Sequence, residues 1–241
     1  MSAPAKRGLT SSELKYIAIL AMLIDHIAWT FFPVAGVAGQ LMHFVGRTTA
    51  PIMCFFISEG FHHTRNLKRY FLRLGIFAVI SHFAYAFWKS GSFFAKSPES
   101  MISTLFLCLA SVTVFNSKKI GVYLKLPIIL GIAYFAEKCD WGSNAVIFTL
   151  AFEIAKLGNG TKKNALSAYA LSAVVYLLPT ISLLSNPEFF ILNVYRFGVF
   201  LPVLFLSFYN GERGGGKYDK WVFYVFYPAH LLVLGYINMK Y

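Results

Sequence analysis

The sequence predicts an all-α polytopic integral membrane protein, a single bundle of about nine transmembrane helices with its N-terminus in the cytoplasm. Of its 241 residues, 57% are hydrophobic and only 13% are charged, whereas about a quarter of the residues in a soluble domain are charged. The apolar residues form continuous segments, which favours helices over the alternating strands of a membrane barrel. The cations are also distributed unevenly between the connections. Composition therefore excludes a soluble enzyme, a disordered chain and a secreted disulfide scaffold.

Nine apolar segments account for most of the chain, and a segment of about 17–25 residues crosses a hydrocarbon core of about 30 Å. They are residues 14–33, 41–60, 70–88, 100–115, 121–136, 142–157, 164–183, 189–208 and 221–238. Because the fourth and sixth are short, one of them is a candidate for a tilted or re-entrant helix. No repeat or soluble insert interrupts the series, so residues 1–241 are predicted to form one domain.

The positive charges fix the predicted orientation. The chain has 22 Lys and Arg against 10 Asp and Glu, a net charge of +12. Sixteen of the 22 fall in the N-terminal region and in alternate connections on one side. The other side has four, which are Lys89, Lys96, Lys138 and Lys240. This asymmetry follows the positive-inside rule. It predicts contact with membrane lipid and no nucleic-acid partner.

Three other patterns carry little chemistry. Cys54, Cys108 and Cys139 have no metal-like spacing and give no disulfide framework. The adjacent His62 and His63 lack a closed set of ligands, so no metal is expected. The segment 211–217 has the spacing of a phosphate-binding loop, but Tyr218 follows where Ser or Thr is needed and no strand precedes it. A flexible cytoplasmic loop is the better interpretation.

Ionisable residues inside the segments are the main candidates for function, because charge is costly in lipid. They are Asp25, His26, Arg47, Glu59, His82, Glu153, Arg196 and His230. Six are expected at one depth, central to slightly external. Glu59 and Glu153 fall near the cytoplasmic ends of their helices, where side chains reach water at low cost. Buried pairing, for example of Asp25 with Arg47, is the structural alternative to an active site.

A second cluster follows the second segment on the cytoplasmic side. Arg65, Lys68, Arg69 and Arg73 lie within nine residues. These charges could enforce topology or bind anionic lipid. On charge alone topology is the favoured interpretation, and the alternative is that these residues hold the phosphates of a cofactor, since guanidinium groups bind phosphate in a bidentate fashion.

Short blocks along the chain resemble the TraX family, whose founding member acetylates conjugative pilin. The first holds Leu14–Ala18 and Met22–His26. Further blocks are Gly46-Arg47, Ala50–Ile52, Glu59–Phe61, His63–Asn66, Tyr70–Leu74, Asp140–Gly142 and Phe226–Leu231. A more distant likeness connects Phe55–Phe61 and the basic stretch to the type-three membrane acyltransferases.

The resemblance implies a bacterial inner-membrane enzyme that transfers an acetyl group from cytoplasmic acetyl-CoA. The acceptor would be a pilin or peptide N-terminus, or another envelope molecule, reached from the membrane or the outer side. Arg65, Lys68, Arg69 and Arg73 would then bind the coenzyme phosphates.

The chemistry needs a base, because an attacking amine or hydroxyl loses a proton. We expect His26 to be that base, with His230 as the second candidate for proton transfer. Asp25 would orient the site or hold an acceptor ammonium, and Arg47 would stabilise the oxyanion or pair with Asp25. Neighbouring side chains on a helix diverge by about 100°, so Asp25 and His26 do not form a dyad automatically.

Two other functions fit the same residues. Intramembrane Asp, His and Arg are typical of proton relays, so a proton-coupled transporter is the first alternative. The second is a structural or assembly protein whose polar belt holds the bundle together.

Overall fold

The computed structural model describes residues 7–94, 100–157 and 160–240. Lys6 and Lys96, both counted in the charge distribution, lie outside these ranges. The described chain is helical, apart from an isolated bridge between Leu9 and Tyr209. In order, the helices are α1 (Ser11–Phe31), α2 (Val37–Gly46), α3 (Thr49–His63), α4 (Leu67–Ser90), α5 (Met101–Asn116), α6 (Val122–Ala136), α7 (Gly142–Leu157), α8 (Lys162–Ile181), α9 (Pro187–Ile191), α10 (Leu201–Ser207) and α11 (Asp219–Lys240).

Many of these helices are apolar enough to cross a membrane. Among the described residues, five stretches have both the length and the composition. They are Ser11–Phe31, Val37–His63, Leu67–Ser90, Lys162–Ser185 and Trp221–Lys240. Shorter apolar helices add Met101–Asn116, Val122–Ala136 and Val194–Ser207. The chain therefore has the features of a multi-pass membrane protein, and the all-α prediction is confirmed.

The second segment, 41–60, is not one continuous helix as the apolar run suggested. The structure breaks it at Arg47 and Thr48, between α2 and α3. Pro51 has no N–H to donate to the carbonyl of Arg47, and its ring disfavours a helical turn there. The break places Arg47 at the end of α2, turned back towards α1.

The eighth segment, 189–208, differs more from the predicted single span. A 3-10 helix at Val194–Phe200 separates the short helices α9 and α10. Pro202 lies in the first turn of α10, a position where proline favours the start of a new helix. Gly198 packs so closely on α2 that an added Cβ would lie 2.0 Å from the Phe44 carbonyl oxygen. In this segment the chain therefore packs closely on α2 and does not continue as one regular α-helix.

The helices pack around α1, which contacts α2, α3 and α11. Helix α4 packs on α11, and α7 packs on α3, α5 and α8. By contrast, among the described helices α6 packs mainly on α5 and α7, and it exposes large apolar side chains. These exposed residues include Tyr123, Leu124, Leu126, Leu130 and Phe135. Such a surface suits contact with lipid.

Helices α1 and α11 begin, and helices α3 and α7 terminate, at the same end of the bundle. We call this the basic end. Helix α1 starts there with a capping box, in which Thr10 and Glu13 satisfy each other's backbone N–H groups. The glycine-rich loop 208–218 packs against this start instead of being a free loop. Backbone bonds join Ser11 to Glu212 (2.8 Å) and Ser12 to Arg213 (3.0 Å). Arg213 is thereby fixed beside α1.

Candidate active site

Two histidines from distant parts of the sequence meet in the interior. Nε2 of His230, on α11, lies 3.3 Å from Nδ1 of His26, on α1. Each Nδ1 also faces a carbonyl oxygen one turn back on its own helix, Met22 for His26 and Phe226 for His230, both at 2.9 Å. A neutral ring that donates from Nδ1 keeps its lone pair on Nε2. The pair therefore offers basic nitrogens inside the bundle.

Aromatic side chains enclose this histidine pair. The Trp88 ring meets His26 edge-on at a centroid distance of 4.9 Å, and its Nε1 donates to Thr30 Oγ1 at 2.9 Å. Phe226 stacks on His230 at 5.0 Å. The exposed fractions of His26 and His230 are 5% and 6%. Both rings thus have fixed positions in an apolar surrounding.

A cavity of about 460 Å³ extends from the basic end towards this pair, although neither histidine lies in its wall. Its wall comes from α1, α3, α4, α5, α11 and the glycine-rich loop. It runs from the exposed residues His63 and Arg213 to the buried residues Met22, Met101 and Tyr227. Since the Met22 carbonyl holds His26, the cavity ends next to the histidines.

The mouth of this cavity is cationic. Lys15, Arg73 and Arg213 line it together with one carboxylate, Glu59. Nζ of Lys15 lies 4.7 Å from the centroid of Phe56. Nε of Arg73 donates to the Tyr224 hydroxyl at 3.2 Å. Anchored cations at the entrance and apolar walls beyond it suit a ligand with an anionic head and an uncharged arm.

The four residues predicted to bind coenzyme do not all face this cavity. Arg73 lines it. Arg65, Lys68 and Arg69 are exposed at the start of α4 and do not form part of its wall. Residue Asn66 caps that helix by accepting from the Arg69 N–H at 2.9 Å. Only one of the four is therefore placed to touch a ligand inside the cavity.

Asp25 turns away from His26 and forms a separate cluster. Its carboxylate accepts hydrogen bonds from His43 Nδ1 at 2.8 Å and from Arg47 at 2.9 Å. The Arg47 guanidinium also lies 4.5 Å from the centroid of the Trp141 ring. The expected pairing of Asp25 with Arg47 is thus observed. With two cationic or hydrogen-bonding partners already in place, Asp25 is poorly suited to hold an acceptor ammonium.

The position of Glu153 near a helix end suggested that its side chain reaches water, but the structure buries it. It is only 2% exposed. Its carboxylate accepts from Ser58 (2.6 Å) and Asn116 (2.9 Å) and contacts His62 Nε2 at 2.6 Å. Glu59 instead pairs with Lys156 at 3.0 Å. This network of hydrogen bonds and ion pairs joins α3, α5 and α7, so it holds these three helices together.

The remaining intramembrane candidates lie apart from the histidine pair. Arg196 lies over Tyr176 at 5.7 Å, and His82 contacts the neighbouring Phe83 ring. Of the six groups expected at one level, the structure joins His26 with His230 and Asp25 with Arg47. Within the described residues, no group of three or more His, Cys, Asp or Glu could hold a metal ion.

Comparison with known proteins assigns the chain to a family. The family described as TraX protein matches residues 10–238. The chain belongs to the TraX family. It is also 36% identical over 231 residues to a Dichelobacter nodosus protein described as "Probable fimbrial assembly protein FimC, serogroup H1", covering 92% of this chain and 93% of that protein. No solved structure matches.

Sequence reasoning missed several residues of this candidate site. His43 is fully buried against Asp25, and its position four residues before Arg47 on one helix face was the available signal. Lys15 and Arg213 were counted only as topogenic charges, although both line the cavity mouth. Tyr227 lay inside a recognised block, one turn before His230, where tyrosine at a buried position predicts a bonded hydroxyl.

Proposed function

We propose that this chain is a membrane-embedded acetyltransferase that moves an acetyl group from cytoplasmic acetyl-CoA to an acceptor at the membrane or its outer side. One observation carries the proposal: a cavity with a cationic mouth ends beside a buried histidine pair. Membership of the TraX family supports the same activity.

The proposed setting is the bacterial inner membrane, with about nine crossings, a cytoplasmic N-terminus and one domain over residues 1–241. The charge asymmetry supports this orientation. So does the meeting of the basic connections at one end, where Ser12 bonds to Arg213 and Lys156 pairs with Glu59. The cavity mouth then faces the cytoplasm, where acetyl-CoA is made.

The cavity residues fit acetyl-CoA as co-substrate. Lys15, Arg73 and Arg213 would bind its phosphates by charge-assisted hydrogen bonds. Methionine and aromatic walls would surround the uncharged arm, and the acetyl thioester would reach the inner end. Arg65, Lys68 and Arg69, exposed at the same end, would attract the polyanion over a longer range.

His26 is the proposed general base. Its Nε2 would take the proton that the acceptor loses during attack, a role worth about 10²–10⁴-fold in rate. His230, 3.3 Å away, would share or relay that proton. Asp25 and Arg47, paired with each other on a different face of α1, would hold α1 and α2 in position.

The proposed acceptor is the N-terminal amine of a pilin or another peptide. The similarity to a protein described as a fimbrial assembly protein supports a pilin. Another envelope molecule with an amine or hydroxyl would require the same base.

The test is acetyl-CoA binding by calorimetry on detergent-purified protein, with Arg73→Ala, Arg69→Ala and His26→Ala beside the wild type. Lys119→Ala, an exposed cation outside the cavity, is the matched control. We expect saturable binding that is weakened most by Arg73→Ala, less by Arg69→Ala, and kept in His26→Ala and Lys119→Ala.

Transfer is measured separately with labelled acetyl-CoA and a synthetic peptide carrying the N-terminus of the host's own pilin. Folded wild type that binds no acetyl-CoA would overturn the proposal. Solute uptake by proteoliposomes without coenzyme would then support the proton-coupled transporter, and its absence would support an assembly role.

A further inference from the structure

Tyr227 occupies the inner end of the cavity beside both histidines. It lies one turn before His230 on α11 and is only 3% exposed. Its ring centroid is 5.6 Å from that of His230 and 6.3 Å from that of His26. It also lines the cavity. A substrate group that reaches the histidines therefore passes Tyr227.

The hydroxyl of Tyr227 has a defined hydrogen-bonding state. Its oxygen accepts from the backbone N–H of Met101 at 2.9 Å. Met101 is the first residue of α5, so this N–H has no partner within its own helix. A phenol that accepts one bond keeps its own hydrogen for donation. Met101 lines the same cavity, so the fixed hydroxyl lies at the cavity wall.

Resting on the proposed acetyl transfer, we propose that Tyr227 is a catalytic residue that donates its hydroxyl hydrogen to the thioester carbonyl oxygen. As the acceptor nitrogen forms the new C–N bond, the carbonyl π electrons move onto this oxygen, and Tyr227 stabilises the charge. The electrons return, the C–S bond breaks, and coenzyme A leaves as thiolate. The proton taken from the amine by His26 passes to that thiolate.

Under this proposal Tyr227 has the role of hydrogen-bond donor that the sequence suggested for Arg47. Arg47 is paired with Asp25 and does not line this cavity. The Tyr227 hydroxyl is already oriented before substrate enters, because the Met101 N–H fixes its oxygen. Donors fixed in advance in a dry site stabilise developing charge without reorganisation.

The experiment compares wild type with Tyr227→Phe, which keeps the ring and removes only the hydroxyl. We expect acetyl-CoA binding within about 2-fold of wild type, and transfer to the pilin peptide slower by about 10²-fold, the usual effect of losing one such donor. Tyr169→Phe is the control, because it also removes a buried hydroxyl, one that donates to the Val199 carbonyl. It should retain wild-type turnover.

A second readout does not need the acceptor. In isotope-edited infrared spectra of bound acetyl-CoA labelled with ¹³C at the carbonyl, the stretch should lie at lower frequency in wild type than in Tyr227→Phe. Equal frequencies, or equal turnover, would overturn the proposal for Tyr227. Absence of any bound carbonyl band in wild type would instead count against the acetyl-CoA function itself.

Discussion

His26 and His230 are 204 positions apart in sequence, and yet Nε2 of one lies 3.3 Å from Nδ1 of the other. Each ring is oriented by a carbonyl oxygen of its own helix. Two imidazoles at this distance in an apolar site can share one proton, but both cannot be charged at low cost. The contact therefore favours a single-proton relay, which is what the proposed general base at the inner end of the cavity requires.

Replacing His26 with Gln should separate binding from chemistry. We expect acetyl transfer to fall by about 10²-fold or more while acetyl-CoA affinity stays near wild type, since loss of a general base affects the rate. His82→Gln is the control, because that histidine lies on α4 with a contact to Phe83. A His26 variant with full activity would exclude it as the base.

Removing one partner of the Asp25 cluster should destabilise the fold. Asp25→Asn leaves Arg47 buried without its counterion, a change that costs about 3–5 kcal/mol in comparable buried pairs. The double variant Asp25→Asn with Arg47→Gln should cost less than the sum of the single changes. Reversible unfolding in mixed micelles measures this coupling, and strict additivity would contradict a functional ion pair.

The close approach of α1 and α2 depends on Gly46. A Cβ at this position would lie 2.4 Å from Cβ of Asp25. We expect Gly46→Ala to lower the unfolding midpoint clearly by forcing the helices apart. Gly131→Ala, on α6 with no atom within 4 Å of the added Cβ, should be neutral or stabilising, since alanine favours helix.

Acetyl-CoA binding should weaken with salt if the mouth cations hold phosphate. Exposed charge pairs are screened over about 10 Å at 0.1 M salt. Arg213→Gln should lower affinity and flatten the dependence on salt, and Lys119→Gln should leave both unchanged. The measurement is calorimetry from about 0.05 to 0.5 M sodium chloride. A salt-independent affinity would argue against phosphate contacts at this mouth.

The contact between the glycine-rich loop and α1 should depend on pH through Asp219, which precedes the candidate span Trp221–Lys240. The Ser12 hydroxyl donates to its carboxylate and holds the pKa of Asp219 below the ordinary value of 3.8. Because the folded-state pKa is depressed, this stabilisation is present above the unfolded pKa and is lost as the pH falls through the folded one.

Asp219→Asn should therefore lower the unfolding midpoint at pH 7, and the difference from wild type should shrink below about pH 4. Ser12→Ala should show the same pH dependence, because it removes the other partner. A difference that stays constant down to pH 3 would show that the effect does not come from the ionised carboxylate of Asp219.

The sequence by itself determined the all-helical membrane class and the family. A long, continuously apolar segment is stable in lipid as an α-helix, because its backbone groups must form hydrogen bonds within the segment. The hydropathy of these runs did not reveal the helix breaks after Gly46 and around Val194–Phe200. Prolines such as Pro51 and close contacts between helices interrupt a helix without making its sequence less apolar.

Only the tertiary structure decided which polar residues meet. The sequence predicts His26, His230, Asp25 and Arg47 at one depth, but depth does not fix the direction in which a side chain leaves its helix. Packing of α11 and α2 on different faces of α1 joins His26 to His230 and Asp25 to Arg47. It also brings Arg213 and Lys15 to the same cavity mouth, although they are almost 200 positions apart and no local pattern encodes this proximity.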